Sequence, residues 1–295
     1  TLRFIHVSQN EKFAAHLGAF LSGNSMKYRL SPDVVDILCF CTKKPVPMLP
    51  RLAELSAFRQ CWFVTLTPYG RDIEPHVPEK SAGADAIQRL SAQVGAQAVI
   101  WRYDPIFLTE KYDMAFHLQA FEQLASALAG HVSACVISFL NLYEKTRRNF
   151  PAGRAVSMEN QRLLTAQFVR IGAKHDLPIR TCCEDSSLAA CGADVSGCMT
   201  QAVLEAATDC RLRVPKSRKS PRSGCNCLLG ADIGAYNTCP HGCVYCYANY
   251  DRAAVCAQYR QHDPDSPFLI GGFRPGDTIV DVQQESYIDP QLSFL

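Results

Sequence analysis

Three cysteines lie close together near the C-terminus, in the stretch C-P-H-G-C-V-Y-C that contains Cys239, Cys243 and Cys246. A disulfide uses two cysteines, and a structural zinc site uses four ligands. Three thiolates on so short a loop suit a cubane [4Fe–4S] cluster, because they can reach three of its irons. A catalytic metal centre can keep one position open for a small molecule. We therefore expect an iron–sulfur cluster whose fourth iron is available to a ligand.

The residues between these cysteines suit a tight loop around a cluster. Gly242 tolerates backbone conformations that other residues avoid, and Pro240 stiffens the approach to the loop. Tyr245 stands between the second and third cysteines and offers an aromatic face beside the site. We therefore include Tyr245 among the expected cofactor-binding residues.

The whole chain carries fifteen cysteines, and eleven of them fall between Cys182 and Cys256. Thiols stay reduced in the cytosol, so this clustering indicates metal binding rather than disulfides. The cysteines of the first half lie inside apolar, strand-like runs. We expect those four to be small buried hydrophobic residues: Cys39, Cys41, Cys61 and Cys135.

The composition is that of an ordinary globular protein. The 295 residues are 47% hydrophobic and 20% charged, with a net charge of +2. This balance does not favour a nucleic-acid or membrane-surface protein on electrostatic grounds. The first residues do not resemble a signal peptide, and no apolar run is long enough to span a membrane. We expect a soluble, cytoplasmic protein.

Short apolar runs alternate with amphipathic stretches through the first two thirds of the chain. The runs are β-branched or aromatic, as is typical of strands covered on both faces. The predicted strands are Val34–Phe40, Cys61–Thr67, Ala98–Tyr103, Ala134–Phe139 and Pro178–Cys182. The predicted helices are Pro50–Phe58, Glu79–Val94, Tyr112–Leu128, Ser157–His175 and Gln201–Asp209. This alternation predicts an α/β fold with a parallel sheet, as a full or partial (β/α) barrel.

Polar residues stand at the ends of the predicted strands, where a barrel carries its active site. A single polar residue at such a place can simply cap the next helix. Here every repeat supplies at least one, which favours a binding mouth. The candidate catalytic or substrate-contacting residues are Lys43, Arg102, Asp104 and Glu184.

The stretch from Cys239 to Cys246 resembles the C-x3-C-x-aromatic-C signature of radical S-adenosylmethionine (SAM) enzymes. The resemblance implies a cluster whose fourth iron binds the amino and carboxylate groups of SAM. It also implies reductive cleavage of SAM to methionine and a 5′-deoxyadenosyl radical, with a flavodoxin or ferredoxin as the reductant. Radical SAM enzymes usually carry this loop near the first strand, so here it must fold back over the mouth. The Gly-Gly-Glu segment that many of them use is absent, so SAM binding is expected from the cysteine motif alone.

Longer stretches are similar to an uncharacterised bacterial family, a domain of unknown function with this motif at its C-terminus. They include T-P-Y-G-R-D-I-E-P, V-I-W-R-Y-D-P-I and C-G-A-D-V-S-G-C, and the similarity covers residues 28–295. Nothing before Met26 resembles the family's Arg-Arg-Thr-Asp segment, so we expect a first β-α unit that is shortened. We divide the chain into a barrel-like domain, residues 1–185, and a cysteine-rich iron–sulfur segment, residues 186–295, which is stabilised by metal over the mouth.

Four further cysteines also resemble cysteines of that family: Cys182, Cys198, Cys225 and Cys227. Four ligands could complete a closed site, either a second [4Fe–4S] cluster or a tetrahedral zinc ion. The alternative is that these thiols are unligated or redox-active. A metal here would fasten the C-terminal segment across the mouth.

Two other functions stay open beside radical SAM chemistry on an unknown substrate. In one, zinc stabilises a binding module, and the six basic residues of Arg211–Arg222 contact nucleic acid. A solvated linker is the simpler interpretation of that stretch. In the other, the chain is an electron-transfer module whose clusters never meet SAM.

Overall fold

Six parallel strands form one sheet. The computed structural model describes residues 4–7, 32, 35–215, 224–228, 233–234, 236–249, 251–263, 265–266, 268, 271–272, 275–276 and 286–289. The strands are β1 Phe4–Val7, β2 Ile37–Thr42, β3 Gln60–Thr65, β4 Val99–Ile106, β5 Cys135–Phe139 and β6 Ile179–Thr181. They lie in sequence order, and each is paired in parallel with the next. The predicted α/β class with a parallel sheet is confirmed.

The strand order is that of a barrel, although the sheet is not closed within the described part of the chain. Each of the five predicted strands is present, with ends that differ by a few residues. β1 was not predicted. It pairs with β2 through the register Phe4 to Ile37. Among the described strands β6 has no pairing with β1, so the structure is consistent with a partial β/α fold and a full barrel is not confirmed.

Helices alternate with the strands. They are α1 Lys80–Val94, α2 Met114–Leu128, α3 Glu144–Asn149, α4 Met158–Ala173, α5 Gln201–Thr208 and α6 Arg252–Arg260. Shorter 3₁₀ helices span Val46–Leu55, Ala96–Ala98 and Ser186–Cys191. The helix predicted at Pro50–Phe58 is instead a 3₁₀ helix that begins earlier, at Val46, and ends at Leu55. α2 begins two residues after its predicted start, since the Asp113 carboxylate accepts the Phe116 amide at 2.7 Å and caps the helix.

One face of the sheet packs against the helices. Crossovers between parallel strands are almost always right-handed, so strands in sequence order carry their helices on one side. Aromatic rings fill this layer. Phe40 stacks on Trp62 with 3.8 Å between ring centroids, Trp101 stacks on Phe121 at 5.0 Å, and Phe121 stacks on Phe168 at 4.2 Å. These contacts join β2 to β3, and they join β4 to α2 and α4.

The opposite face of the sheet is covered by residues from the C-terminal third of the chain. Cys39, Cys61 and Phe63 belong to one buried cluster with Met199 and Leu204. The expectation of buried, core-like cysteines is confirmed for Cys39, Cys61 and Cys135. Cys41 is only partly buried.

Residues 286–289 are fastened near the amino end of β2. The buried Asp36 carboxylate accepts the Ser286 hydroxyl at 2.6 Å and the Tyr287 amide at 3.1 Å. Leu212 and Ile288 form an antiparallel bridge beside it. The described part of the C-terminal segment therefore contacts the amino edge of the sheet as well as one of its faces.

Candidate metal centre at the carboxyl edge of the sheet

The four candidate catalytic residues lie at one edge of the sheet. Lys43 follows β2, Arg102 and Asp104 lie within β4, and Glu184 follows β6. Parallel strands present their carboxyl ends at the same edge, so these side chains share one region of the protein. Each of them is nevertheless held by its own neighbours.

The cysteine loop, Cys239–Tyr247, is a compact turn. The Cys246 amide donates to the Cys243 carbonyl at 3.1 Å, and the Asn249 side-chain amide donates to the Cys239 carbonyl at 2.8 Å. Gly242 has a φ of +69°, a left-handed conformation that favours glycine. The sequence therefore closes the loop with backbone contacts and one glycine, before any metal is considered.

The three thiols of the loop are close enough to influence one another. Burial raises the pKa of Cys243 to about 12, opposed by the Lys43 ammonium and reinforced by Glu74, Cys239 and Cys246. A thiol with this pKa stays protonated at neutral pH, so it would bind a metal by releasing its proton. Grouped thiols of this kind are the donor set that soft metal ions and iron–sulfur clusters prefer.

The cysteine loop rests on the connection between β3 and α1. The His76 amide donates to the His241 carbonyl at 3.1 Å, and the Val244 amide donates to the Ile73 carbonyl at 3.0 Å. On the other side, the Thr146 hydroxyl of α3 donates to the Tyr245 carbonyl at 3.5 Å. A loop from the end of the chain is thereby held at the carboxyl edge of the sheet.

Tyr245 points into the protein instead of presenting an open aromatic face. Its ring lies 6.1 Å from that of Tyr69 and 6.4 Å from that of Phe107, and it is 9% exposed. The Lys43 ammonium lies 5.7 Å from the ring centroid. The Tyr245 hydroxyl donates a hydrogen bond to Glu74. In this structure Tyr245 anchors the cysteine loop to the interior.

Glu74 is a functional candidate that the sequence analysis missed. Its buried carboxylate accepts the Thr67 hydroxyl at 2.6 Å and the Lys43 ammonium at 2.8 Å, and it also forms an ion pair with Lys80. Burial alone would raise its pKa, but the two lysines outweigh burial and lower the pKa to about 2. Glu74 is therefore an anion at neutral pH, between the sheet edge and the cysteine loop.

Arg102 and Asp104 form an ion pair at the centre of the edge. The Arg102 guanidinium donates to Asp104 through Nε at 3.0 Å and also through Nη2. Burial opposes the charge of Arg102, but Asp104, Cys182 and Cys198 hold its pKa well above the usual value. Its Nη1 lies 3.6 Å from the Cys198 thiol. Arg102 therefore connects the sheet edge to the second group of cysteines.

Three members of the second cysteine set are in contact. The Cys198 sulfur lies 3.4 Å from that of Cys182 and 3.4 Å from that of Cys227. The Met199 amide donates to the Cys227 sulfur at 3.3 Å, and the Cys227 amide donates to the Cys225 sulfur at 3.4 Å. Amides directed at sulfur stabilise thiolates, and they tune metal–thiolate centres.

The second cysteine set is not arranged as a finished metal centre. Among the described residues, no group of three or more His, Cys, Asp or Glu side chains is placed so that it could hold an ion as it stands. Thiolates around tetrahedral zinc lie about 3.8 Å apart, from a Zn–S distance of about 2.3 Å. The two contacts of 3.4 Å are slightly shorter than that spacing, so the thiols would have to move apart to bind one ion.

Glu184 is bound to the end of β5. Its carboxylate accepts the Ser138 hydroxyl at 2.8 Å and the Phe139 amide at 2.9 Å. These contacts satisfy backbone and side-chain groups at the strand end. Glu184 lies in the expected region, and its contacts fasten the connection after β6 to β5.

Two expectations concern other parts of the chain. The basic stretch Arg211–Arg222 lies outside the described residues from position 216 onward, so its proposed contact with nucleic acid stays a prediction. None of the helices in the described ranges is long and apolar enough to cross a bilayer.

These features define an α/β protein with a parallel sheet and two groups of cysteines at the carboxyl edge of that sheet. Residues 6–248 match the family described as Domain of unknown function (DUF1848), and the chain belongs to that family. The matched region includes β2 to β6, the cysteine loop and the second cysteine set. No curated protein matches the chain.

Proposed function

We propose that the chain is a radical SAM-type iron–sulfur protein, in which Cys239, Cys243 and Cys246 bind a [4Fe–4S] cluster. The observation that carries the proposal is the position of these thiols. They stand on one compact loop that is docked at the carboxyl edge of a parallel sheet, where α/β enzymes bind their substrates. Three thiol ligands leave the fourth iron for SAM.

The roles of the chain's own residues follow from their contacts. The three thiols release their protons and bind the irons, while Gly242 lets the backbone turn between them. Lys43 keeps a positive charge beside Cys243, which favours the thiolate form. A reduced cluster held by these thiols would supply the electron for cleavage of SAM, the chemistry that yields methionine and a 5′-deoxyadenosyl radical able to take hydrogen from a substrate.

Substrate contacts would come from the ion pair Arg102–Asp104 and from Glu184. Arg102 and Asp104 are 16% and 17% exposed, so the pair can meet a ligand at the edge without leaving its buried position. An arginine that is already paired on one side binds a carboxylate or phosphate through its remaining donors. A small acidic reductant protein, such as a flavodoxin or ferredoxin, would supply the electron.

The second cysteine set would hold another metal, with Cys182, Cys198 and Cys227 as ligands and Cys225 as the fourth. The sulfur contacts of 3.4 Å support one zinc ion more than a second [4Fe–4S] cluster, because cluster thiolates bind different irons and stand farther apart. Such an ion would fasten the C-terminal segment to the sheet.

Anaerobic reconstitution with iron and sulfide tests the proposal. Wild-type protein should bind about four irons in the cysteine loop and absorb near 400 nm. Under reducing conditions with SAM it should form 5′-deoxyadenosine. Cys243→Ala should abolish both signals, and Cys256→Ala, at an exposed cysteine of α6, is the matched control. A wild-type cluster whose EPR signal ignores SAM, with no 5′-deoxyadenosine formed, would overturn it.

The alternative is a zinc- or cluster-stabilised binding or electron-transfer module without SAM chemistry. The sulfur spacing in the second set favours it, since that spacing suits a structural zinc ion. A colourless, zinc-loaded protein after anaerobic purification would support the binding module. A brown protein that forms no 5′-deoxyadenosine would support the electron-transfer module.

A further inference from the structure

Four donors converge on the carboxylate of Glu74. The hydroxyls of Thr67 and Tyr245 and the ammonium groups of Lys43 and Lys80 all reach it. The Glu74 side chain is fully buried, and the two lysines are 16% and 25% exposed. Buried carboxylates are rare and are held by paired charges or hydrogen bonds, and Glu74 has both.

Tyr245 is the donor that connects this carboxylate to the cysteine loop. Tyr245 directly precedes Cys246 and lies two residues after Cys243, so a fixed Tyr245 restrains the backbone that carries both cysteines. Its hydroxyl reaches Glu74, while the backbone of the loop is bound to Ile73 and His76 on either side of Glu74. One side-chain hydrogen bond and two backbone hydrogen bonds therefore join the cysteine loop to the connection between β3 and α1.

We propose that Glu74 is a positioning residue for the three cysteines, because its carboxylate docks the cysteine loop on the sheet edge through the Tyr245 hydroxyl. Lys43 and Lys80 hold the carboxylate in place. Lys43, which the sequence suggested as a substrate contact, is thereby engaged with Glu74 and Thr67 and lies beside Cys243. The meaning of this docking for cluster binding rests on the proposed function, although the docking itself requires no metal.

Docking without a metal would prepare the loop for its ligand. Ligands that are already held near their final positions lose less conformational entropy when the metal binds. Second-shell contacts of this kind commonly change metal affinity by about 10- to 100-fold. Loss of the Glu74 carboxylate should therefore loosen the loop first and weaken iron binding as a consequence.

Hydrogen–deuterium exchange of the metal-free protein tests the docking directly. The Val244 and His76 amides bridge the two loops, so they should be protected in the wild type. Glu74→Gln should exchange about tenfold faster in peptides that cover 70–77 and 239–247, with β3 and β4 unchanged. Glu79→Gln is the matched control, since Glu79 lies in the same connection but forms an exposed ion pair with Arg71. Glu79→Gln should leave the exchange rates of both loops as they are in the wild type.

Three outcomes decide the proposal. Unchanged exchange in both loops of a folded Glu74→Gln protein overturns it. If Glu74→Gln unfolds the protein, β3 and β4 exchange as well, and Tyr245→Phe then decides because it removes only the hydroxyl. Unchanged loop exchange in Tyr245→Phe overturns the proposal, and faster exchange confined to the two loops supports it. Failure of SAM cleavage would leave this result intact, so the two proposals fail separately.

A second readout tests whether the Lys43 charge acts on a cluster bound by the cysteine loop. Lys43→Met removes a positive charge beside Cys243, and net charge near a cluster sets its reduction potential. In reconstituted protein we expect Lys43→Met to lower the midpoint potential, while Glu79→Gln leaves it unchanged. An unchanged potential in Lys43→Met would place Lys43 outside the influence of the cluster and remove that part of the proposal.

Discussion

Replacement of Glu74 by glutamine should remove a part of the protein's stability that depends on pH. The folded protein lowers the pKa of Glu74 from 4.5 to about 2, since Lys43 and Lys80 outweigh the effect of burial. One pKa unit corresponds to about 1.36 kcal/mol, so ionised Glu74 stabilises the folded state by about 3 kcal/mol at pH 7. Because the folded pKa is depressed, this contribution is complete above the unfolded pKa of 4.5 and is lost as the pH falls through about 2.

Urea unfolding at pH 7 and pH 3 measures this contribution in the metal-free protein. Trp62 and Trp101 are both buried in the sheet and report on unfolding by fluorescence. The difference in free energy of unfolding between wild type and Glu74→Gln should shrink by about 2 kcal/mol between pH 7 and pH 3. Other carboxylates are shared by both proteins, so their titration cancels in this difference. Glu79→Gln, at an exposed ion pair, should lie close to the wild type at both pH values.

A difference that stays constant from pH 7 to pH 3 would refute the reasoning. It would mean that the folded pKa of Glu74 equals its unfolded value, so that Lys43 and Lys80 do no more than offset the effect of burial. The lysines would then add no net stabilisation to the Glu74 carboxylate, and the account of how it is held in place to dock the cysteine loop would lose its physical basis.

Three further predictions concern other parts of the protein. The His117 ring bonds the Tyr103 hydroxyl at 2.8 Å and the Phe107 carbonyl at 2.9 Å, so His117→Phe should cost about 1–3 kcal/mol in urea unfolding. Burial lowers the pKa of His117, so the wild type should lose stability as the pH falls below the unfolded pKa of about 6.5. His117→Phe should not show this loss of stability. Gly242→Ala should lower the free energy of unfolding by about 1 kcal/mol, because a φ of +69° disfavours any side chain. The new Cβ itself would make only an ordinary contact, at 3.5 Å. The iron content after reconstitution should also fall. Cys198→Ser should remove about one zinc per chain by elemental analysis and leave the iron of the cysteine loop unchanged.

The sheet was predictable because its strands are short, apolar and β-branched. Cys61–Thr67 was predicted and Gln60–Thr65 is observed, and the other buried strands differ by similar amounts. The helix predicted at Tyr112–Leu128 begins two residues later, at Met114, because Asp113 caps it. The four-residue strand β1 and the six-residue helix α3 were not predicted.

The cysteine loop was predictable from spacing, and its anchor was not. Nothing in T-P-Y-G-R-D-I-E-P distinguishes Glu74 from a solvated acid in a loop, since its burial depends on Tyr245, 171 residues farther along the chain. The same contact explains why Tyr245 faces inward. Sequence reasoning assigned the tyrosine to the cofactor because the cysteines are its neighbours in sequence, whereas its neighbours in space are Tyr69, Phe107 and Glu74.

The order of the strands explains how a loop near the end of the chain reaches the carboxyl edge of the sheet. A doubly wound sheet carries helices on both faces, which leaves no face for another segment. Strands in sequence order place their crossover helices on one side, so the other side needs a cover. Here Met199 and Leu204 supply part of that cover against Cys61 and Phe63. A chain that has already crossed this face has a short path to the carboxyl edge, and there Glu74 can hold the cysteine loop through Tyr245.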